Sequence, residues 1–204
     1  MPERISVVQR TDVKNTNPLR YSLEQFNPLP DEVWEEVAAL VSKRMVAAGE
    51  RLLDAGERAT NIFFIHSGLL REYYLDDAGR ESTRNFCVEG GFAGSLADLI
   101  SRGKAMVSIE SLDAGELWVL NWPAIDALSE KRPALMKLMR RFAETLYMRK
   151  MMREFEMLTL PAAERYRRFV RDFPALNQRL HRNMVASYLG VTPVHLSRIC
   201  SAEK

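Results

Sequence analysis

The stretch Arg182-Asn183-Met184-Val185-Ala186-Ser187-Tyr188-Leu189-Gly190-Val191-Thr192-Pro193-Val194-His195-Leu196-Ser197-Arg198-Ile199 decides how this chain reads. Two helical patterns meet at a single glycine. Helices that cross at a short turn need a small residue at the point of closest approach, and Ala186 supplies it. The turn itself needs left-handed backbone, which Gly190 adopts without a Cβ clash. Val185, Leu189, Val191, Leu196 and Ile199 then close a small core between the helices. Thr192 caps the second helix, and Pro193 takes its first position, where no N–H is needed. The pattern is that of a helix-turn-helix, although two ordinary packed helices would share much of it.

Off the core face lie Val194, His195, Ser197, Arg198 and Ser201. In this motif the second helix enters the major groove of a duplex, with residues near its N-terminus reaching base edges. Arg198 suits a bidentate contact to guanine O6 and N7, and Ser197 suits a base or a phosphate. Arg182, with the helix N-termini, suits phosphate oxygens. Arg182, Thr192, Val194, His195, Ser197 and Arg198 are therefore the candidate DNA-binding set. Charge points the same way. Residues 1–131 carry 14 Lys and Arg against 21 Asp and Glu, a balance of −7. Residues 132–204 carry 15 against 6, a balance of +9. A basic final third on an acidic body suits a polyanionic partner, and it also fits a solvated basic helix face.

Upstream, glycine divides the chain. Nine of its ten glycines fall between Gly49 and Gly115, among short apolar runs. Strands are expected at Ile62–Ile65, Leu69–Leu75, Glu81–Val88, Ala105–Ser111 and Glu116–Leu120, with Asp76-Asp77-Ala78-Gly79 as a hairpin turn. Many short strands at this spacing read as a β-sandwich or barrel. A helix is expected over Asp31–Val41, with Val33, Val37, Leu40 and Val41 at helical spacing.

From Ala134 to Leu158 there is no Gly or Pro, and apolar residues recur at helical spacing. A helix of about 25 residues spans roughly 38 Å, long for a chain of this size. One stripe of it can cover the barrel while other faces seek a partner. A dimer helix carrying Leu138, Met139, Phe142 and Leu146 is the reading, against a core helix within one chain. The six methionines from Met136 to Met157 serve as core filler or allow two packings of paired helices. Pro161 stops this helix, a further one fits Ala162–Phe173, and two short helices follow. The fold class expected is α+β: a barrel over 1–131, a long helix over 132–160, and a small helix-turn-helix domain over 161–204.

This order resembles the CRP/FNR family of bacterial regulators over about residues 25–202. The resemblance is carried by Gly56-Glu57-Arg58-Ala59-Thr60-Asn61-Ile62-Phe63-Phe64-Ile65-His66-Ser67-Gly68 and by Val185 to Ile199. It implies a cyclic-nucleotide-binding-like jelly roll, a homodimer along the long helix and a two-fold-symmetric operator. It also implies double-stranded DNA, a second copy of the chain and RNA polymerase as partners. The family's base-reading positions fall on Val194, Ser197 and Arg198, with Val194 departing from the acidic residue common there.

The effector site departs further. Family members that bind cyclic AMP carry Gly-Glu-Leu and a later Arg-Ser/Thr around the cyclic phosphate and ribose. Here the first element reads Gly94-Ser95-Leu96, and Ala105-Met106 stands where Arg-Ser would be, with Arg102 and Lys104 near enough for a shifted loop to present a cation. Loss of the carboxylate and the fixed arginine removes the main polar anchors. The expectation is an unidentified effector other than cyclic AMP, or no effector and a barrel that serves only as a dimerisation scaffold.

Other chemistries find little support. Residues 1–30 hold no cysteine, which excludes the family's N-terminal iron-sulfur sensor. Cys87 and Cys200 lie far apart, and Cys200 is expected to pack inside the small domain. His66 is the one barrel histidine, too few for a metal enzyme on a cupin-like roll and poorly placed, before a Ser-Gly turn, for haem. Neither a metal, a cofactor nor an enzymatic activity is expected. No apolar run reaches the roughly 18 residues a membrane helix needs. Met1-Pro2-Glu3-Arg4 lacks a secretory layout, so a cytoplasmic location is the expectation. The sequence ends at Lys204, just after the second helix, so the domain is expected to lack a long wing and to bind in a more salt-sensitive way.

Overall fold

The structure, a computed structural model, describes residues 17–202; Met1–Arg4 and Lys204 lie outside the described residues. Two short helices, α1 (Pro18–Glu24) and α2 (Asp31–Ala39), precede eight strands. These are β1 (Val41–Val46), β2 (Arg51–Leu53), β3 (Asn61–Ser67), β4 (Leu70–Leu75), β5 (Glu81–Cys87), β6 (Phe92–Ala93), β7 (Ser108–Ser111) and β8 (Gly115–Asn121). A short helix α3 (Leu96–Ser101) lies between β6 and β7. The strands form two antiparallel four-stranded sheets, β1-β8-β3-β6 and β2-β7-β4-β5. After them come α4 (Trp122–Ser129), α5 (Pro133–Thr159), α6 (Ala162–Asp172), α7 (Leu176–Arg179), α8 (Arg182–Leu189) and α9 (Pro193–Ala202).

The run Ile62–Ile65 is apolar without alternation because both of its faces are covered. Phe63 and Ile65 join the sandwich interior with Leu70, Ile109 and Leu117. Phe64 instead joins Trp34, Trp118 and Leu138 under the helices that cover the other face. Where β8 passes β3, a Cβ on Gly115 would stand 2.2 Å from the Ser67 carbonyl oxygen, so only glycine fits. The Asp76–Gly79 turn forms as expected, with the Asp76 carboxylate accepting the N–H groups of Ala78 and Arg80 at 3.0 and 2.9 Å.

Several expected boundaries shift, among them the strand read from Leu69, which starts at Leu70, and the helix read to Phe173, which ends at Asp172. The helix from Asp31 stops at Ala39, and Val41 opens β1, paired with Leu120 of β8. Strand β7 starts at Ser108 rather than Ala105, because the Ala105 N–H is taken by the Glu57 carbonyl and the Met106 N–H by Asp98. The fifth strand ends at Cys87, one residue early. Strand β1 gave no apolar signal because it is an edge strand whose Ser42, Lys43 and Arg44 are exposed. Among the described residues, no helix is long and apolar enough to cross a membrane.

Candidate nucleic-acid interface and ligand loop

Helix α8 ends at Gly190, whose φ of 66° and ψ of 38° are left-handed. A side chain there would be strained by that conformation, and its Cβ, 2.5 Å from the Met157 methyl carbon, would also make that flexible side chain move aside. The Thr192 hydroxyl accepts the His195 N–H at 3.2 Å and so caps α9. Val185, Ala186, Leu189, Leu196 and Ile199 are buried, joined by Phe169, Leu176 and Leu180 from α6, α7 and the loop after it. Cys200 packs half-buried against this core. On the opposite side Val194 is 64% exposed, and His195, Ser197, Arg198, Arg182 and Thr192 are exposed too. All six sequence candidates are therefore exposed. Two of them, Thr192 and His195, line with Ser82 of β5 and Ser187 an open groove of about 610 Å³.

The small domain is seated on the sandwich. Leu69 and Phe86, from the sandwich, belong to its core. The Phe86 ring lies 5.4 Å from that of Tyr188 and 6.3 Å from that of Phe169. Strand β5 is the edge of its sheet, and Ser187 of α8 serves it as a partner. The Ser187 hydroxyl accepts the Thr83 N–H at 2.8 Å and donates to the Glu81 carbonyl at 3.2 Å. Beside it the buried Arg71 guanidinium donates to Glu81, Glu110 and the Thr83 hydroxyl at 2.6, 2.9 and 3.0 Å. Arg179 pairs with Asp113 and, at 3.5 Å, with Glu89. None of these sandwich partners was anticipated from sequence, because nothing in a strand pattern says which outward residues a later helix will cover.

The loop read as the effector site differs from expectation. Arg102, a left-handed residue with φ of 55°, and Lys104 are exposed. The buried positions are held by carboxylates, so no shifted cation takes the place of the missing arginine. Glu72 of β4 accepts the Gly94 N–H at 2.9 Å. Asp98 accepts the Ser95 hydroxyl and, at 3.0 Å, the Met106 N–H. Leu96 and Ala105 pack toward the sandwich core, whereas the Met106 side chain is exposed. Burial raises the Glu72 carboxyl above the ordinary range, opposed by Arg84 at 3.7 Å, the Gly94 N–H and Lys150. Burial also pushes the Cys87 thiol well up, leaving it protonated and unreactive. His66 stacks on Trp118, with ring centroids 5.0 Å apart, beside the helices that cover the outer face of its sheet.

Helix α5 corrects another expectation. Leu138 and Phe142, read as dimer positions, are 3% and 9% exposed because they close the chain's own sandwich and helix cores. Met139 and Leu146 pack against the same cores. The face that the chain leaves open lies one to three turns further on, where Met148, Met151, Phe155 and Leu158 recur at steps of three, four and three. That spacing fits a heptad pattern, and Met136, Tyr147 and Met152 of the same helix are exposed as well.

Residues 43–132 match a family model described as the cyclic nucleotide-binding domain. A curated relative from Bordetella pertussis, named transcriptional regulatory protein btr, is 25% identical over 189 residues, covering 85% of this chain and 76% of that one. The catabolite activator protein of Thermus thermophilus superposes with a TM-score of 0.56 at 21% identity, covering 91% of this chain and 86% of that one. A Eubacterium rectale protein described as a CRP/FNR-family transcriptional regulator gives 0.63 at 17% identity, over 84% of this chain and 82% of that one. Residues 43–132 therefore resemble the cyclic nucleotide-binding domain, and over most of its length the chain shares the fold of the CRP/FNR regulators.

Proposed function

We propose that this chain is a DNA-binding transcription regulator, not an enzyme, that acts in the cytoplasm as a homodimer on a two-fold-symmetric operator. The observation that carries the reading is the capped helix α9, buried along Leu196 and Ile199 and open along Val194, Ser197 and Arg198. In this reading residues 1–131 are the sensor, 132–160 pair two copies, and 161–204 read the duplex, with RNA polymerase engaged at the promoter. Two recognition helices must then sit about 34 Å apart to meet successive major grooves. Selection of bound duplexes from a random pool, with purified full-length protein, tests it. A palindromic consensus is expected, and recovery of unenriched sequence at low salt overturns it.

Pairing along the heptad seam is tested separately. Phe155→Glu puts two charges into the paired seam, while Phe155 in the single chain is already exposed. The variant is expected to sediment as a folded monomer and to lose cooperative operator binding. A dimer of unchanged stability overturns the seam.

The effector is not cyclic AMP in this reading. Two of the loop's N–H groups, those of Gly94 and Met106, are already held by the chain's own carboxylates. Titration calorimetry is expected to show no binding of cyclic AMP at micromolar concentration, and submicromolar affinity overturns the reading. The same observation favours a second reading, in which the sandwich needs no effector and serves only to pair and seat the DNA-binding helices. A thermal-shift screen of small molecules separates the two.

A further inference from the structure

We propose that Asp98 is a built-in anion: its carboxylate fills the position at which the 94–106 loop would hold a ligand's anionic group, so the loop folds without a ligand and excludes a phosphate diester. The proposal goes beyond the DNA-binding reading and depends only on the cyclic nucleotide-binding domain.

Asp98 is 3% exposed, and its donors come from both ends of the loop. Ser95, equally buried, donates its hydroxyl from three residues before, and Met106 donates its backbone N–H at 3.0 Å from eight residues after. One carboxylate thereby closes a loop whose tip, Arg102 to Lys104, lies toward the surface. A hydroxyl and a backbone N–H converging on one negatively charged group are the donors an oxyanion of a ligand would need. They are spoken for. Next to them the Gly94 N–H is used in the same way by Glu72, itself paired with Arg84 at 3.7 Å. Lys150 of α5 feels both Glu72 and Asp98, so the nearby cations already face two internal carboxylates. An entering phosphate would meet these carboxylates and find the Ser95 hydroxyl and the Gly94 and Met106 N–H groups already engaged.

The test compares wild type, Asp98→Ala and Asp98→Asn by thermal unfolding in inorganic phosphate, in cyclic AMP and in sodium chloride of matched ionic strength. Amide exchange at Met106 is followed alongside. Wild type is expected to melt at one temperature in all three. Asp98→Ala is expected to melt about 5–10 °C lower, from the loss of charge-assisted hydrogen bonds. Phosphate, but not chloride, should restore at least half of that and slow exchange at Met106. Asp98→Asn keeps an acceptor of the same shape without the charge. It carries the test should the alanine variant fail to fold, and its melting temperature is expected to rise with phosphate where wild type does not. The proposal is overturned if neither variant gains a phosphate response over chloride. It is equally overturned if wild type is stabilised by phosphate or cyclic AMP as much as the variants are.

Discussion

Arg198→Ala is expected to lower affinity for the selected operator at least ~30-fold and to leave the melting temperature where it was. The side chain is exposed on α9, two turns beyond the Thr192 cap, so nothing in the fold depends on it. A bidentate contact to guanine is worth roughly 1–3 kcal/mol, and a dimer makes it once in each half-site. Even the lower figure, taken twice, comes to about 2 kcal/mol, which at 1.4 kcal/mol per decade is near 30-fold. Arg198→Lys is expected to recover only part of this, since a point charge keeps the phosphate attraction and loses the planar fork. The loss should be largest on the operator and small on unrelated duplex, which is measured by fluorescence anisotropy at one fixed salt concentration. Equal losses on both would make Arg198 a backbone contact. No loss on either would move base reading away from this face.

How much of this was legible depends on whether a residue's partner is local. The turn at Gly190, the cap at Thr192 and the five-residue core around them are set within eighteen residues, and the sequence shows each of them. The strands from β3 to β5 show for the same reason, since their turns are short and their apolar runs continuous. Partners remote in sequence stayed hidden. Leu138 and Phe142 look like dimer positions until the sandwich takes them, while Met148, Met151, Phe155 and Leu158 stay exposed. Edge strand β1 hides because its exposed residues carry charge, as an edge needs to. In the ligand loop the comparison of Gly94-Ser95-Leu96 and Ala105-Met106 with a known pattern shows which anchors are missing. It does not show what replaced them: Asp98 is one acid among many until its hydroxyl and amide donors are seen.

The same remoteness makes Phe86 a position whose loss reaches beyond its own strand. It belongs to β5, yet its ring is part of the small domain's core, 3% exposed between Tyr188 and Phe169. A four-helix unit of about forty residues buries little surface alone, and here it borrows Leu69 and Phe86 from the sandwich. Wild type is therefore expected to unfold in one step. The three tryptophans, Trp34, Trp118 and Trp122, all lie on the sandwich side, so their fluorescence follows that part alone, while far-ultraviolet circular dichroism follows all helices. In wild type the two signals should coincide. Phe86→Ala removes a buried aromatic ring, a loss of about 3–5 kcal/mol. Because the ring faces the C-terminal helices, that loss falls on their seating rather than on the sandwich interior. Dichroism should then fall in two steps, the first well below the tryptophan transition, and operator binding should vanish over the temperature range of that first step. If both signals instead shift down together, the small domain is too tightly joined to the sandwich to melt alone, and Ser187, holding Thr83 and Glu81 at the β5 edge, becomes the contact that joins them. If neither signal moves, the seating of the helices on β5 is wrong.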